Sequence, residues 1–386
     1  MLLNNIEILG SDKKSNILID GEKISSVSSA DTPLNIANRE KSFLFDDVIA
    51  FPGLINSHDH LDFNLFPQLG NGTYNNYTEW GRDIHRQNKI EINRILQIPK
   101  HLRIRWGIYK NLLNGVTTVV NHGEQLEIED DLINVFQKCK SLHSTAFEKY
   151  WKFKLNNPLA SVKQFAMHVG EGTDKFAFDE INKVIANNFF KKKIVGIHGV
   201  AMNKKQASFF KALVWCPVTN FFLLQETANI KSLKQKTNIL FGTDSTLTAS
   251  WNIWEHLRIA REEAAVSDQE IFNMLSKNAS IAWDLKDIGE IKDGQYADLV
   301  IAKKNKHLNS VDSFFETNPQ DLWLVLCKGH IKLIDEKFRK HLDNSLLDYG
   351  KILLGDSVKY VYGNINLLIR EIKKYSPEII LPISCA

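Results

Sequence analysis

The chain has 386 residues, 44% hydrophobic and 24% charged, an ordinary globular composition long enough for one large domain and a smaller one. Forty-eight basic against 45 acidic side chains leave a net charge of +3, and the densest basic cluster, "FFKKKI", reads as a solvated helix end, so nucleic acid is not indicated as a partner. The four cysteines (Cys139, Cys216, Cys327 and Cys385) lie far apart, no apolar run reaches membrane-spanning length, and "MLLNNIEILGSD" lacks the basic start and apolar core of a signal peptide; these features point to a cytoplasmic protein without a disulfide framework, a cysteine-based zinc site or a membrane partner.

The first fifty residues are β-rich. "SNILIDGEKISSV" alternates apolar residues on both sides of Asp20-Gly21, which predicts a hairpin, and "FLFDDVIAFPGLINSH" runs as a strand into a histidine pair. "IEINRIL" and "LRIRWGIYKNLLNG" have helical spacing, the latter stopping at Gly115. Beyond them short apolar strands ("VTTVVNH", "VKQFAMHVG", "KIVGIHG", "ALVWCPVTN", "NILFGTD") alternate with helical stretches ("DDLINVFQKCKSL", "DKFAFDEINKVIANNF", "SWNIWEHLRIAREEAA"). That alternation predicts parallel strands, and several strands end in His, Asp or Asn, as in a barrel with functional groups at its strand C-termini. After about residue 287 two hairpins are expected, with turns at Asp293-Gly294 and Lys328-Gly329, pairing with the N-terminal strands; the tail beyond about residue 339 reads as helical. The expected division is residues 1–52 and 287–338 as the two parts of a small discontinuous β domain, 53–286 as a (β/α) barrel, and 339–386 as a helical tail.

In a strand, His58 and His60 of "SHDH" point the same way while Asp59 turns aside. Four strand ends then supply candidate metal ligands: His58 with His60, His168, His198 and Asp244. Imidazole and carboxylate suit zinc, and ferrous iron equally. Glu171, three residues after His168 and flanked by glycines, can turn back over such an ion and move protons. The plainer reading of Glu171 is an acid at a helix start.

The stretches "PGLINSHDHL", "HVGEG", "GIHGV", "WCPVTNFFLL", "FGTDS" and "IGEIKDGQYADLVI" resemble, in this order, the signature of the amidohydrolase superfamily. They are most similar to its branch of aminohydrolases and chlorohydrolases, which includes cytosine, guanine and S-adenosylhomocysteine deaminases. The resemblance implies a distorted (β/α)8 TIM-type barrel, with a small β-sandwich built from both chain ends. It implies one divalent ion, zinc or iron, held by His58, His60, His168 and Asp244. By the same carry-over Glu171 shuttles protons, Asp244 takes the first proton from a water that the ion has made more acidic, and His198 hydrogen-bonds that water or the substrate. The implied activity is hydrolysis of a non-peptide C–N bond, foremost the release of ammonia from an amino-substituted heterocycle.

The pattern is strained between "VTTVVNH" and "FAMHVGEG", where a full barrel needs two further strand–helix units in about forty residues. A two-metal cyclic amide hydrolase would draw a bridging carboxylated lysine from this region, where Lys149, Lys152 and Lys154 are available. A catalytically silent protein on the same fold is the other alternative, although such a protein would be expected to have lost ligands. His122, Trp80 with its neighbour Glu79, and Asn220 are candidates to border the substrate pocket, whereas His143 has a weaker claim and His256 reads as amphipathic helix surface. The PCxxC signature of nucleic-acid deaminases is missing from "WCPVTN". Oligomeric state is not legible.

Overall fold

The computed structural model describes residues 1–11, 13–31, 41–128, 131–158 and 164–386, with 343 and 344 described by backbone alone. The N-terminal alternation folds as β1 (Leu2–Ile8), β2 (Lys14–Asp20), β3 (Lys23–Ser29), β4 (Ser42–Leu44) and β5 (Val48–Pro52). β2 and β3 pair antiparallel through Asp20 and Lys23, as expected, around a turn that Gly21 enters at φ +54°. β5 is buried on both faces. Ile49 and Phe51 join the core beneath the helices, while Val48 and Ala50 join a separate core with Leu3, Ile6 and Ile17. The period of two along one apolar strand thus couples the sheet to the rest of the molecule.

Eight parallel strands follow among the described residues: β6 (Leu54–Asp59), β7 (Val116–Asn121), β8 (Asn134–Phe136), β9 (Lys140–Leu142), β10 (Gln164–Val169), β11 (Lys193–His198), β12 (Ala212–Trp215) and β13 (Asn238–Phe241). They form a three-stranded sheet in the order β6-β7-β8 and a five-stranded sheet in the order β13-β12-β11-β10-β9, a TIM-barrel-like α/β arrangement. The end of β13 reaches β6 where the Asp244 N–H donates to the His58 carbonyl at 3.0 Å. β14 (Leu299–Lys303) returns the chain antiparallel onto β5, followed by β15 (Leu322–Cys327), β16 (His330–Asp335), β17 (Tyr349–Leu354), β18 (Ser357–Tyr362) and β19 (Ile383–Cys385), all in one sheet with β1 to β5.

Three expected elements differ. Residues 131–142 are not a helix but the short strands β8 and β9, which pair in parallel with β7 and β10; Asp130 lies outside the described residues, as do the first two residues of the expected strand from 162. Leu132, Ile133 and Phe136 suit a helical face equally well, and neighbouring strand edges decide the matter. The turn at Asp293-Gly294 forms without its own hairpin, because this segment's hydrogen bonds go to the β2–β3 turn: Gly294 N–H to the Ile24 carbonyl and Ala297 N–H to the Glu22 carbonyl. The tail holds the α-helix Ile365–Tyr375 but also short 3-10 turns and the strands β17, β18 and β19, with β17 and β18 turning at Gly355 with φ +60°.

Asp298, just before β14, is buried, and its carboxylate accepts from the Lys328 N–H. Burial pushes this carboxyl up to about 6. An acid raised in the folded state binds its proton more tightly there, so stability falls as pH rises from the unfolded value near 4 through 6. Asp298→Asn is therefore expected to gain stability relative to wild type progressively between pH 4 and pH 7, by up to about 2–3 kcal/mol. Urea midpoints at pH 4 and pH 7 test this, and a pH-independent difference would refute it.

Candidate metal centre

Parallel strands bring their C-terminal ends to one mouth, and five imidazoles meet there. His58 lies at the centre, with ring centroids 5.0 Å from His60, 5.2 Å from His122, 5.0 Å from His168 and 5.8 Å from His198. The Nε2 atoms of His58 and His168 are 3.2 Å apart. Asp244 faces them, with Oδ1 at 3.6 Å from His58 Nε2 and 3.8 Å from His60 Nε2, and Oδ2 at 4.0 Å from His198 Nε2. One nitrogen each from His58, His60 and His168 lies within 4.8 Å of the others, as do the ligand atoms of His58, His198 and Asp244.

This donor set fits a divalent cation. Burial holds His60 and His168 below the ordinary imidazole range, so each presents a neutral nitrogen, the form a metal requires. Burial alone would raise the Asp244 carboxyl, but His58, facing it at 3.6 Å, outweighs burial and holds the group well below the usual carboxylate range. Nitrogen donors with a single carboxylate match zinc or ferrous iron better than magnesium or calcium.

Glu171 stands beside this group, its Oε2 3.6 Å from His198 Nε2. Burial, then the charges of Asp244 and Glu180, push its carboxyl well above the ordinary range. The glycines around it set the approach. Gly170 has φ +61°, and a Cβ on Gly172 would sit 2.7 Å from the Asn75 carbonyl oxygen. Glu180, which the sequence reading missed, pins this turn: it accepts from the Gly170 N–H at 3.1 Å, the Tyr77 hydroxyl at 2.7 Å and the Thr145 hydroxyl at 2.8 Å.

The tautomer of His198 follows from its neighbours. Thr227 Oγ1 accepts from Trp215 Nε1 at 2.7 Å and from Asn220 Nδ2 at 3.2 Å, which aims Asn220 Oδ1 at His198 Nδ1, 3.0 Å away. Nδ1 therefore carries the proton and Nε2 presents its lone pair toward Glu171 and Asp244. Asn220 is fully buried with both amide atoms engaged, so it reaches the site through His198.

His122 is buried in the same group, 4.4 Å from the His168 ring, and among the described residues neither of its nitrogens has a hydrogen-bond partner. His143 also belongs here, its ring 5.0 Å from His168 and 5.4 Å from Phe147; its position one residue past β9 was hidden by the expected helix. Trp80 is half-buried and its indole N–H donates to the Leu69 carbonyl at 2.7 Å, while Glu79 accepts from the Asn75 backbone and side chain. His256 is not surface: it is fully buried, its Nε2 2.8 Å from the Ser250 carbonyl, and burial pushes it down to about 4. Lys149 and Lys152 are exposed, and Lys154 is paired with Glu148, which accepts from the His143 N–H at 3.3 Å.

The amidohydrolase family pattern matches residues 143–332. The chain is 22% identical to a 5-methylthioadenosine/S-adenosylhomocysteine deaminase of Caldicellulosiruptor saccharolyticus, over 83% of this chain and 89% of the relative. It is 23% identical to a 5'-deoxyadenosine deaminase of Methanocaldococcus jannaschii, over 79% and 86%. Among solved structures, the atrazine chlorohydrolase of Arthrobacter aurescens in complex with zinc superposes with a TM-score of 0.70 at 15% identity, over 97% of this chain and 99% of that one. With a TIM-barrel-like scaffold, a histidine–aspartate group at its mouth and this pattern running from the end of β9 into β16, the chain is similar to the amidohydrolase superfamily and, through these relatives, to its aminohydrolases.

Proposed function

We propose that the protein is a metal-dependent deaminase that releases ammonia from an amino-substituted heterocycle, its first candidate being the 6-amino group of an adenine nucleoside. The observation that carries this reading is geometric: two buried carboxyl groups flank one imidazole, Glu171 at 3.6 Å and Asp244 at 4.0 Å from His198 Nε2, with Asp244 also 3.6 Å from His58 Nε2; burial pushes Glu171 up while His58 holds Asp244 down. Two carboxyls held apart in this way divide acid and base work between them. In this reading the eight parallel strands make a distorted barrel, and the sheet from both chain ends makes a second, discontinuous domain.

His58, His60, His168 and Asp244 would hold one divalent ion, zinc or ferrous iron. Such an ion supplies Lewis acidity that makes water a nucleophile near neutral pH. Asp244, ionised, takes a proton from the attacking water. His198 Nε2, its lone pair bared by the bond to Asn220, accepts a hydrogen bond and orients that water. Glu171, holding a proton, delivers it to the ring nitrogen beside the carbon under attack. The amine leaves as ammonia by taking the proton that Asp244 received, and the new hydroxyl loses its proton to Glu171 as the carbonyl forms. His122 offers two otherwise unpartnered nitrogens to the substrate, and Trp80 offers its ring face, its N–H being engaged. The names of the relatives support a purine nucleoside, and that of the structural neighbour supports a triazine as the second class to try.

The test is ammonia release by zinc- and iron-loaded protein on adenine nucleosides, aminopyrimidines, pterins and triazines, together with metal stoichiometry. One ion per chain and release from one class are expected. Two ions per chain with hydrolysis of cyclic amides and no ammonia would overturn the reading.

A further inference from the structure

Behind the histidine pair lies a polar network that the mechanism above does not use. Asp59, between His58 and His60, turns away from them and is fully buried. Its Oδ2 accepts from Lys110 Nζ at 3.0 Å, Asn111 Nδ2 at 2.7 Å and Asn56 Nδ2 at 3.3 Å, and its Oδ1 accepts from Asn64 Nδ2 at 2.8 Å. Lys110, on the helix Lys100–Leu113, is buried too. Beyond Asp59 its ammonium donates to Thr243 Oγ1 at 3.1 Å and to the Asp244 carbonyl oxygen at 3.4 Å. Neutralising Asp59 needs one of these contacts. The other two reach the opposite edge, where the chain leaves β13 and Asp244 takes a left-handed φ of +56°, a conformation that persists only where surrounding bonds over-determine it. Asn56 laces the same two ends, its Oδ1 accepting from the Thr243 N–H at 3.1 Å and its Nδ2 donating to Thr243 Oγ1 at 2.8 Å.

We propose that Lys110 is a positioning residue for the metal centre: with Asp59 it clamps the strand end bearing His58 and His60 to the turn bearing Asp244, fixing the distance between imidazole and carboxylate ligands. This inference rests on the metal reading given above. Partners that orient metal ligands typically contribute 10- to 100-fold in metal affinity.

The experiment compares wild type with Lys110→Met and with Asp59→Asn/Lys110→Met, in which no buried charge is left unpaired. Zinc affinity is measured by competition with a chromogenic chelator, ligand geometry by the visible d–d bands of the cobalt form, and folding by the melting temperature of metal-free protein. Lys110→Met is expected to melt lower and to bind zinc at least tenfold more weakly. The double variant is expected to regain most of the metal-free melting temperature while zinc stays at least tenfold weaker and the cobalt bands shift. A double variant with zinc affinity within threefold of wild type and unchanged cobalt bands overturns the proposal, as does failure of both variants to fold, which would assign the pair to folding alone. Wild-type protein that binds no zinc, or whose zinc affinity is indifferent to His60→Ala, refutes the metal reading instead.

Discussion

His58→Ala is expected to abolish both specific metal binding and ammonia release while leaving the metal-free fold near wild-type stability. His58 is within 3.2 Å of His168 and 3.6 Å of Asp244, and its ring neighbours four other imidazoles, so no other ligand substitutes for it. Zinc at a thousandfold excess over its dissociation constant should stabilise wild type by about 4 kcal/mol, because only the folded chain assembles the ligands. The variant should show no such gain, and turnover should fall by roughly 10³-fold or more, about 4 kcal/mol of transition-state stabilisation. Denaturant titrations with and without zinc, alongside ammonia assays, decide the matter. A variant that is still stabilised by zinc and still active would remove His58 from the centre.

Glu171→Gln is expected to lower kcat by roughly 10²- to 10⁴-fold, with metal content and melting temperature unchanged. The carboxyl is raised chiefly by burial, which favours its protonated form; in the proposed mechanism it delivers that proton to the ring nitrogen beside the carbon under attack, and an amide of the same shape cannot deliver one. The competing role, an acid at the start of the helix Lys175–Asn187, is already filled, because Asp174 caps that helix by accepting from the Ala177 N–H at 2.9 Å. A Glu171→Gln enzyme with kcat within threefold of wild type and a lowered melting temperature would return Glu171 to a structural role.

The cluster of candidate ligands was readable because its signal is local. Alternation along one strand puts His58 and His60 on one face, and the ends of parallel strands share one mouth. Hence His168, His198 and Asp244 stand together with them, and Gly170 and Gly172 turn Glu171 back toward them. The hairpin at Gly21 and the return of β14 onto β5 were legible for the same reason: turn chemistry and periodicity are written in adjacent residues.

What pairs across the chain was not written there. Residues 131–142 carry apolar spacing compatible with helix or strand, and only the open edges of β7 and β10 choose strand. The segment before β14 gives its hydrogen bonds to the β2–β3 turn, a partner some 270 residues away in sequence. The hydrogen bonds by which Thr227 and Trp215 aim the Asn220 amide at His198 were not legible, and His256 looked like surface until the fold buried it. Lys110 gave no sign at all, since a lone lysine on a helix is ordinarily solvated. The sequence alone determined which candidate ligand types exist and which strand ends carry them. The tertiary structure decided their protonation, tautomer and support, because desolvation and long-range hydrogen bonds exist only once distant segments are packed together.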